Sequence, residues 1–295
     1  MVNEELLKGF KETAQIYDDL INEGHFGTEA IEWKELRDNT TNKEYFEAQL
    51  MDWAKNPQTK FLREINVLQQ LLKIYTEAYI SNPDETIQVL ETSFYGNSDN
   101  PNLEIFSSYM SAGEDFQTLK LNLKDAQSKP LSSAKKTSLY KEVAGNYHKQ
   151  VELIAKQLTY IIALKKIAVG EDYNLNSLYS KSIYQKEKLV KEFENQLLEE
   201  LLGDTLNRTI RNGEAHLNIT PIIKRSEYII KKNSEKITVS FEDMFLKYLL
   251  GALAFNRMTN HTGMLFYLVI NDPSYLNKFI DAISEGLDKR ELYES

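Results

Sequence analysis

From Leu139 to Leu164 an apolar side chain returns every three or four residues: Leu139, Val143, Tyr147, Val151, Ile154, Leu158, Ile161 and Leu164. A period near 3.6 puts all eight on one face of a helix, and so long a stripe needs other apolar surfaces to cover it. The same signature recurs in three further segments. It is carried by Phe61, Ile65, Leu68, Leu72, Tyr75 and Tyr79 in 58–81, and by Leu189, Phe193, Leu197 and Leu201 in 185–207. Phe245, Tyr248, Leu249, Ala252 and Leu253 repeat it in 241–256. Each stripe reads as core packing rather than as a ligand box. Only 12 Gly and 6 Pro punctuate 295 residues, too few for the turns of a β-rich chain. The expected class is mainly α, a helical bundle. One segment differs in kind. Ser226–Phe241 holds two β-branched runs around Asn233-Ser234-Glu235-Lys236, which predicts a small β-hairpin near 226–241.

Charge divides the chain. Residues 1–128 carry 11 Lys and Arg against 23 Asp and Glu, whereas 129–295 carry 24 against 21. Turn chemistry marks two seams, Tyr95–Pro101 and the Ser-rich Ser128–Ser133 around Lys129-Pro130. The second seam coincides with the change of sign. It predicts an acidic helical region of unknown role at 1–130 and a second helical domain with the hairpin at 131–295. Only the second half has local basic surpluses, over 129–166 and 205–240, of the sign that a polyanion attracts.

Several chemistries lack their residues. Cysteine is absent, so disulfides, thiolate-bound metals and thiol catalysis are excluded. No two glycines lie closer than Gly24 and Gly27, so there is no dinucleotide fingerprint and no P-loop. The histidines, His25, His148, His216 and His261, form no i,i+3 or i,i+4 pair, and no metal or cofactor is expected. His25 reads as a turn residue, His148 as the edge of the long stripe, and His261 as a helix junction. The start, Met1-Val2-Asn3-Glu4-Glu5, lacks the pattern of a secretory signal. The densest apolar stretches, Met244–Phe255 and Gly263–Ile270, fall short of the roughly 20 residues of a membrane span. A cytoplasmic protein without a membrane partner is expected.

One constellation carries chemistry: Asn207-Arg208-Thr209-Ile210-Arg211-Asn212-Gly213-Glu214-Ala215-His216. Arg211 keeps its charge and matches phosphate through a planar fork, while His216 titrates near neutrality and can move protons. Five residues apart on an ideal helix, the two diverge by about 140°. Gly213 permits a break, and Asn212 can bond nearby backbone, so the two can converge.

Arg211, Asn212 and His216 resemble the Arg-Asn-x3-His form of the motif of the HEPN superfamily, over roughly 135–270. The resemblance implies a helical domain whose motif follows a long amphipathic helix. It implies a metal-independent endoribonuclease, with Arg211 and His216 catalytic and Asn212 supporting. The 2′-hydroxyl of RNA would attack the phosphate, leaving a 2′,3′-cyclic phosphate and a 5′-hydroxyl. Expected substrates are tRNA or mRNA, with Arg208, Lys224 and Arg225, and also Lys231 and Lys232, on the RNA backbone. A homodimer joining two motifs, a toxin or anti-phage defence role, and an antitoxin or trigger protein as partner are further implications. The family also includes inactive members, so a non-catalytic nucleotide-, RNA- or protein-binding scaffold is the alternative.

Overall fold

The computed structural model describes residues 4–56, 61–128, 130–207, 209–211, 219–232 and 235–294. Five helices come first: α1 (Glu4–Asn22), α2 (Thr28–Asn39), α3 (Asn42–Lys55), α4 (Phe61–Ser81) and α5 (Pro83–Tyr95). A 3-10 turn, Pro101–Leu103, leads to α6 (Phe106–Ser128) and α7 (Ser133–Ala168). Then come α8 (Leu175–Ser180), α9 (Ile183–Lys191), α10 (Gln196–Thr205) and a helical turn at 209–211. Strands β1 (Ile219–Ile222), β2 (Glu227–Lys232) and β3 (Glu235–Ser240) precede a π-helical segment, Asp243–Leu249. Helices α11 (Leu250–Asn271) and α12 (Tyr275–Glu294) finish the fold. The chain is mainly α with one small antiparallel sheet, as expected. Among the described residues no helix is long and apolar enough to cross a membrane.

The long stripe becomes α7, about 54 Å of helix. Ser132 caps its start by accepting from the Lys135 N–H at 3.3 Å. Its middle is buried on every side: all of Gln157 to Leu164 is inaccessible. Helices α4, α6 and α11 pack around it. One buried cluster draws on both sides of residue 130, including Leu50, Phe61 and Leu71 with Ile154, Leu158, Phe255 and Phe279. At the Tyr95–Pro101 seam, Gly96 has φ 73° and a Cβ there would lie 2.6 Å from the Pro101 carbonyl oxygen. Only glycine fits that turn.

Two expected elements come out differently. The 185–207 stripe is two helices, because Glu194 adopts φ 53° and the Asn195 side chain accepts from the Leu198 N–H at 3.0 Å, starting α10 afresh. The hairpin gains a third strand, in the order β1-β2-β3. Ile219 pairs with Ile230, and Ile230 with Ile237, so one face of the sheet is apolar. Pro221 is tolerated because β1 is an edge strand. The π-helical segment follows, with the Leu250 N–H bonded back to the Phe245 carbonyl. His261 lies inside α11 rather than at a junction, its ring 5.7 Å from that of Trp53.

One buried charge ties the acidic half to the last helices. Glu64 on α4 is wholly inaccessible. Its carboxylate accepts from Trp53 Nε1 at 2.7 Å and from Arg257 Nε at 3.0 Å. Removing it takes the acceptor from the buried indole N–H and one acceptor from the guanidinium. We expect Glu64→Ala to cost about 3 kcal/mol, the lower end for a broken buried pair because Arg257 is partly solvated. The double replacement Glu64→Met with Arg257→Met should recover much of that loss. Urea unfolding midpoints of the two variants measure both.

Candidate functional site

The residues that could do chemistry meet in a groove of about 1050 Å³. Helix α7 forms one wall. His148, Glu152 and Lys156 are four residues apart, so they share one face of α7, beside the buried Tyr147, Val151, Ile154 and Leu158. The other walls are Ser107, Ser108 and Ser111 of α6, the start of α9 with Lys181 before it, and Leu206, Asn207 and Arg211.

Arg211 reaches the groove through a fixed chain of hydrogen bonds. The Tyr147 hydroxyl is buried between α10 and the motif: it donates to the Thr205 carbonyl at 2.9 Å and accepts from the Asn207 N–H at 2.8 Å. Burial pushes this phenol far up, so it stays a hydroxyl. Asn207 then caps the next turn, its Oδ1 accepting from the N–H groups of Thr209 at 3.0 Å and Ile210 at 3.1 Å. Its Nδ2 donates to the Tyr248 hydroxyl of the π-helical segment at 3.2 Å. Ile210 is buried, which points the following Arg211 back over α7.

There Arg211 meets Glu152. Nε and Nη2 donate to Glu152 Oε1 at 2.9 and 2.7 Å. Both side chains are partly exposed, 30% and 45%, so the pair orients the fork more than it stabilises the fold. His148, one turn earlier on α7, is half-buried. Burial lowers its pKa, with Arg211 acting the same way and Glu152 opposing, so the ring is neutral at neutral pH. Its Nδ1 is buried without a hydrogen-bond partner among the described residues.

The floor is cationic. Lys186 on α9 is 2% exposed, and its Nζ donates to the Ala155 carbonyl at 2.7 Å, Thr159 Oγ1 at 2.9 Å and the Tyr179 carbonyl at 3.3 Å. Burial brings its pKa down to about 8, still charged in the main at pH 7. Lys156 donates to Ser108 Oγ at 2.6 Å, and burial lowers its pKa also, against the pull of Glu104. Lys149 pairs with Asp115. The charged lining is five basic residues against two acidic, in a chain whose net charge is −9.

Of the residues singled out from the sequence, Arg211 is in the groove. Arg208, Asn212 and His216 lie outside the described residues. Lys224 and Arg225 are exposed on the 3-10 turn between β1 and β2, and neither lines the groove. Lys231 is exposed on β2, and the Lys232 side chain is not described. Sequence reasoning passed over His148, Glu152 and Lys156. Their four-residue spacing within the basic 129–166 segment was the available signal. Among the described residues no three His, Asp or Glu side chains cluster so as to hold a metal ion.

Tyr147→Phe tests the positioning chain. It removes the donor to the buried Thr205 carbonyl and the acceptor of the half-buried Asn207 N–H, and we expect a loss of about 1–3 kcal/mol in urea unfolding. Tyr248→Phe removes a weaker, more exposed contact and should cost less. In comparison with known proteins, no family model, no curated protein and no solved structure matches the chain.

Proposed function

We propose that the chain is a metal-independent endoribonuclease of the HEPN kind. The observation that carries this reading is the setting of Arg211. The arginine of the Arg-Asn-x3-His motif opens onto a basic groove instead of a plain helix surface. A guanidinium in such a groove fits a phosphodiester, and Lys156, Lys181 and Lys186 add the field that draws an RNA backbone. The fork held by Glu152 is pre-aimed, and a bound phosphate competes with that carboxylate for it.

In this reading the 2′-hydroxyl attacks the adjacent phosphate, Arg211 neutralises the crowded phosphorane, and His216 exchanges a proton. Products are a 2′,3′-cyclic phosphate and a 5′-hydroxyl. One histidine cannot take one proton and give another in the same step. The reaction therefore needs a second proton-transfer group, from a second copy of the chain across a two-fold axis or from the groove itself. A toxin or anti-phage role, with tRNA or mRNA as substrate and an antitoxin or trigger protein as partner, is the biological setting that we propose with it.

The Glu152 pair supports a second reading, in which Arg211 is spent on orientation and the groove only binds RNA or a nucleotide. Cleavage separates the two. We expect the purified chain to cut single-stranded RNA in EDTA and His216→Ala to leave RNA intact. Arg211→Lys keeps the charge but loses the planar fork, so turnover should fall at least tenfold while RNA affinity changes little. Binding without cleavage would favour the scaffold reading. Cleavage only with added divalent metal would refute the acid–base chemistry.

A further inference from the structure

Helix α6 runs against α7 with Ser108 beside Lys156, Ala112 beside Gln150 and Asp115 beside Lys149. The two lysines of this seam have different partners. Lys149 meets a carboxylate, whereas Lys156 meets a hydroxyl, its Nζ donating to Ser108 Oγ at 2.6 Å. Glu104, the carboxylate that acts on Lys156 through space, accepts instead from the Ser107 N–H at 2.9 Å. Among the described residues Lys156 has no ion pair, and its other N–H donors have no acceptor. The hydroxyls of Ser108 and Ser111, in the same wall, donate to none there either. A half-buried ammonium without a counter-ion costs the fold free energy, and burial does lower the pKa of Lys156. An anion in the groove would supply the missing partner.

We propose that Lys156, Ser108 and Ser111 form a phosphate site in the α6 wall of the groove, filled by the phosphate of an RNA strand next to the one on Arg211. This rests on the ribonuclease reading for the identity of the ligand and uses none of its proton-transfer chemistry. The ammonium supplies charge and N–H donors, and the two hydroxyls add neutral donors for the remaining phosphate oxygens. Glu152, which holds Arg211, stands one helical turn before Lys156 on α7. On one helix face that separation is about 5–6 Å between Cβ atoms. The two cations therefore lie side by side along the groove, as successive phosphates of one strand require. Asp115 shows the alternative, because a carboxylate in the place of Ser108 would satisfy the lysine from within the protein.

The test is equilibrium binding of the full chain to the 2′-deoxy analogue of a short single-stranded RNA, which cannot be cut by 2′-hydroxyl attack. Each phosphate contact on a single strand adds about 0.7 to the steepness with which log K falls against log salt. We expect Lys156→Met to weaken binding about tenfold or more, the range for a charged hydrogen bond. It should also flatten the salt dependence by about 0.7. Ser108→Asp gives Lys156 the kind of partner that Lys149 has, and should flatten it as much. Ser108→Ala removes a neutral donor, so affinity should fall about fivefold with the salt dependence unchanged. Urea midpoints of Lys156→Met and Ser108→Asp should not fall below wild type, because the ammonium that they remove or pair has no counter-ion in the fold.

Other outcomes overturn the proposal. An unchanged salt dependence in Lys156→Met means that no phosphate sits on this lysine. Equal flattening in Lys135→Met, an exposed lysine about 30 Å away along α7, makes the loss a general effect of charge. Urea midpoints that fall in both Lys156→Met and Ser108→Asp make Lys156 a packing residue. Inorganic phosphate or a nucleoside monophosphate that binds as tightly as the strand makes the ligand a free phosphate and not an RNA backbone. A wild-type chain that binds no strand at all refutes the RNA reading of the groove itself, a result distinct from a strand bound equally well by Lys156→Met.

Discussion

A helix buried on all sides dictates much of this molecule. Gln157 to Leu164 of α7 has no solvent-facing residue, so the fold must supply apolar cover all round it, and α4, α6 and α11 provide it. Two of the amides caught inside tie the helices together. Asn256 Nδ2 donates to the Gln150 carbonyl and Oε1 at 3.0 and 2.7 Å, and Gln150 Nε2 donates to the Ala112 carbonyl at 3.2 Å. These bonds fix how far α6 and α11 can slide along α7, because a slip strands buried amides. The groove lies where this burial ends. From Lys156 back to His148, one face of α7 emerges from its neighbours and carries charge.

The buried Tyr147 hydroxyl is the link between packing and chemistry. It faces the core as part of the long stripe, yet its oxygen joins the last carbonyl of α10 to the first amide of the motif. Displacement of α10 against α7 is therefore felt at Asn207 and, four residues later, at Arg211. Lys186 adds the second constraint. With all three donors engaged by backbone and hydroxyl oxygens, it fixes α9 to α7 and leaves a positive charge in the wall without a neutralising carboxylate among those partners.

The stripe of α7 was legible because its period is simple: Tyr147, Val151, Ile154 and Leu158 are buried as their spacing requires. Periodicity finds one face, however, and Tyr160, Ile162 and Ala163 fill the others. The four-residue rhythm of Leu189, Phe193 and Leu197 concealed a helix break, since a positive φ at Glu194 leaves the hydrophobic count unchanged. Strand β1 was hidden by brevity and by Pro221. Arg211 was singled out through its motif. His148 and Glu152 were not, because a polar i,i+4 pair on a lysine-bearing helix has the letters of ordinary surface. Only the return of Arg211 across α7 brings them into one groove.

The π-helical segment Asp243–Leu249 has a consequence for how such a chain can change over time. In α geometry each residue turns the helix by about 100°, and a π turn holds one residue more than an α turn. Loss of a single residue here would let the segment relax to an α-helix with both flanks kept in phase. Phe241 and Phe245 sit at the sheet end, in the ring cluster with Tyr140 and Tyr228, while Tyr248 receives the Asn207 amide at the motif end. No rotation satisfies both ends. The π turn is therefore the place where this stretch can shed a residue without uncoupling the sheet from the groove.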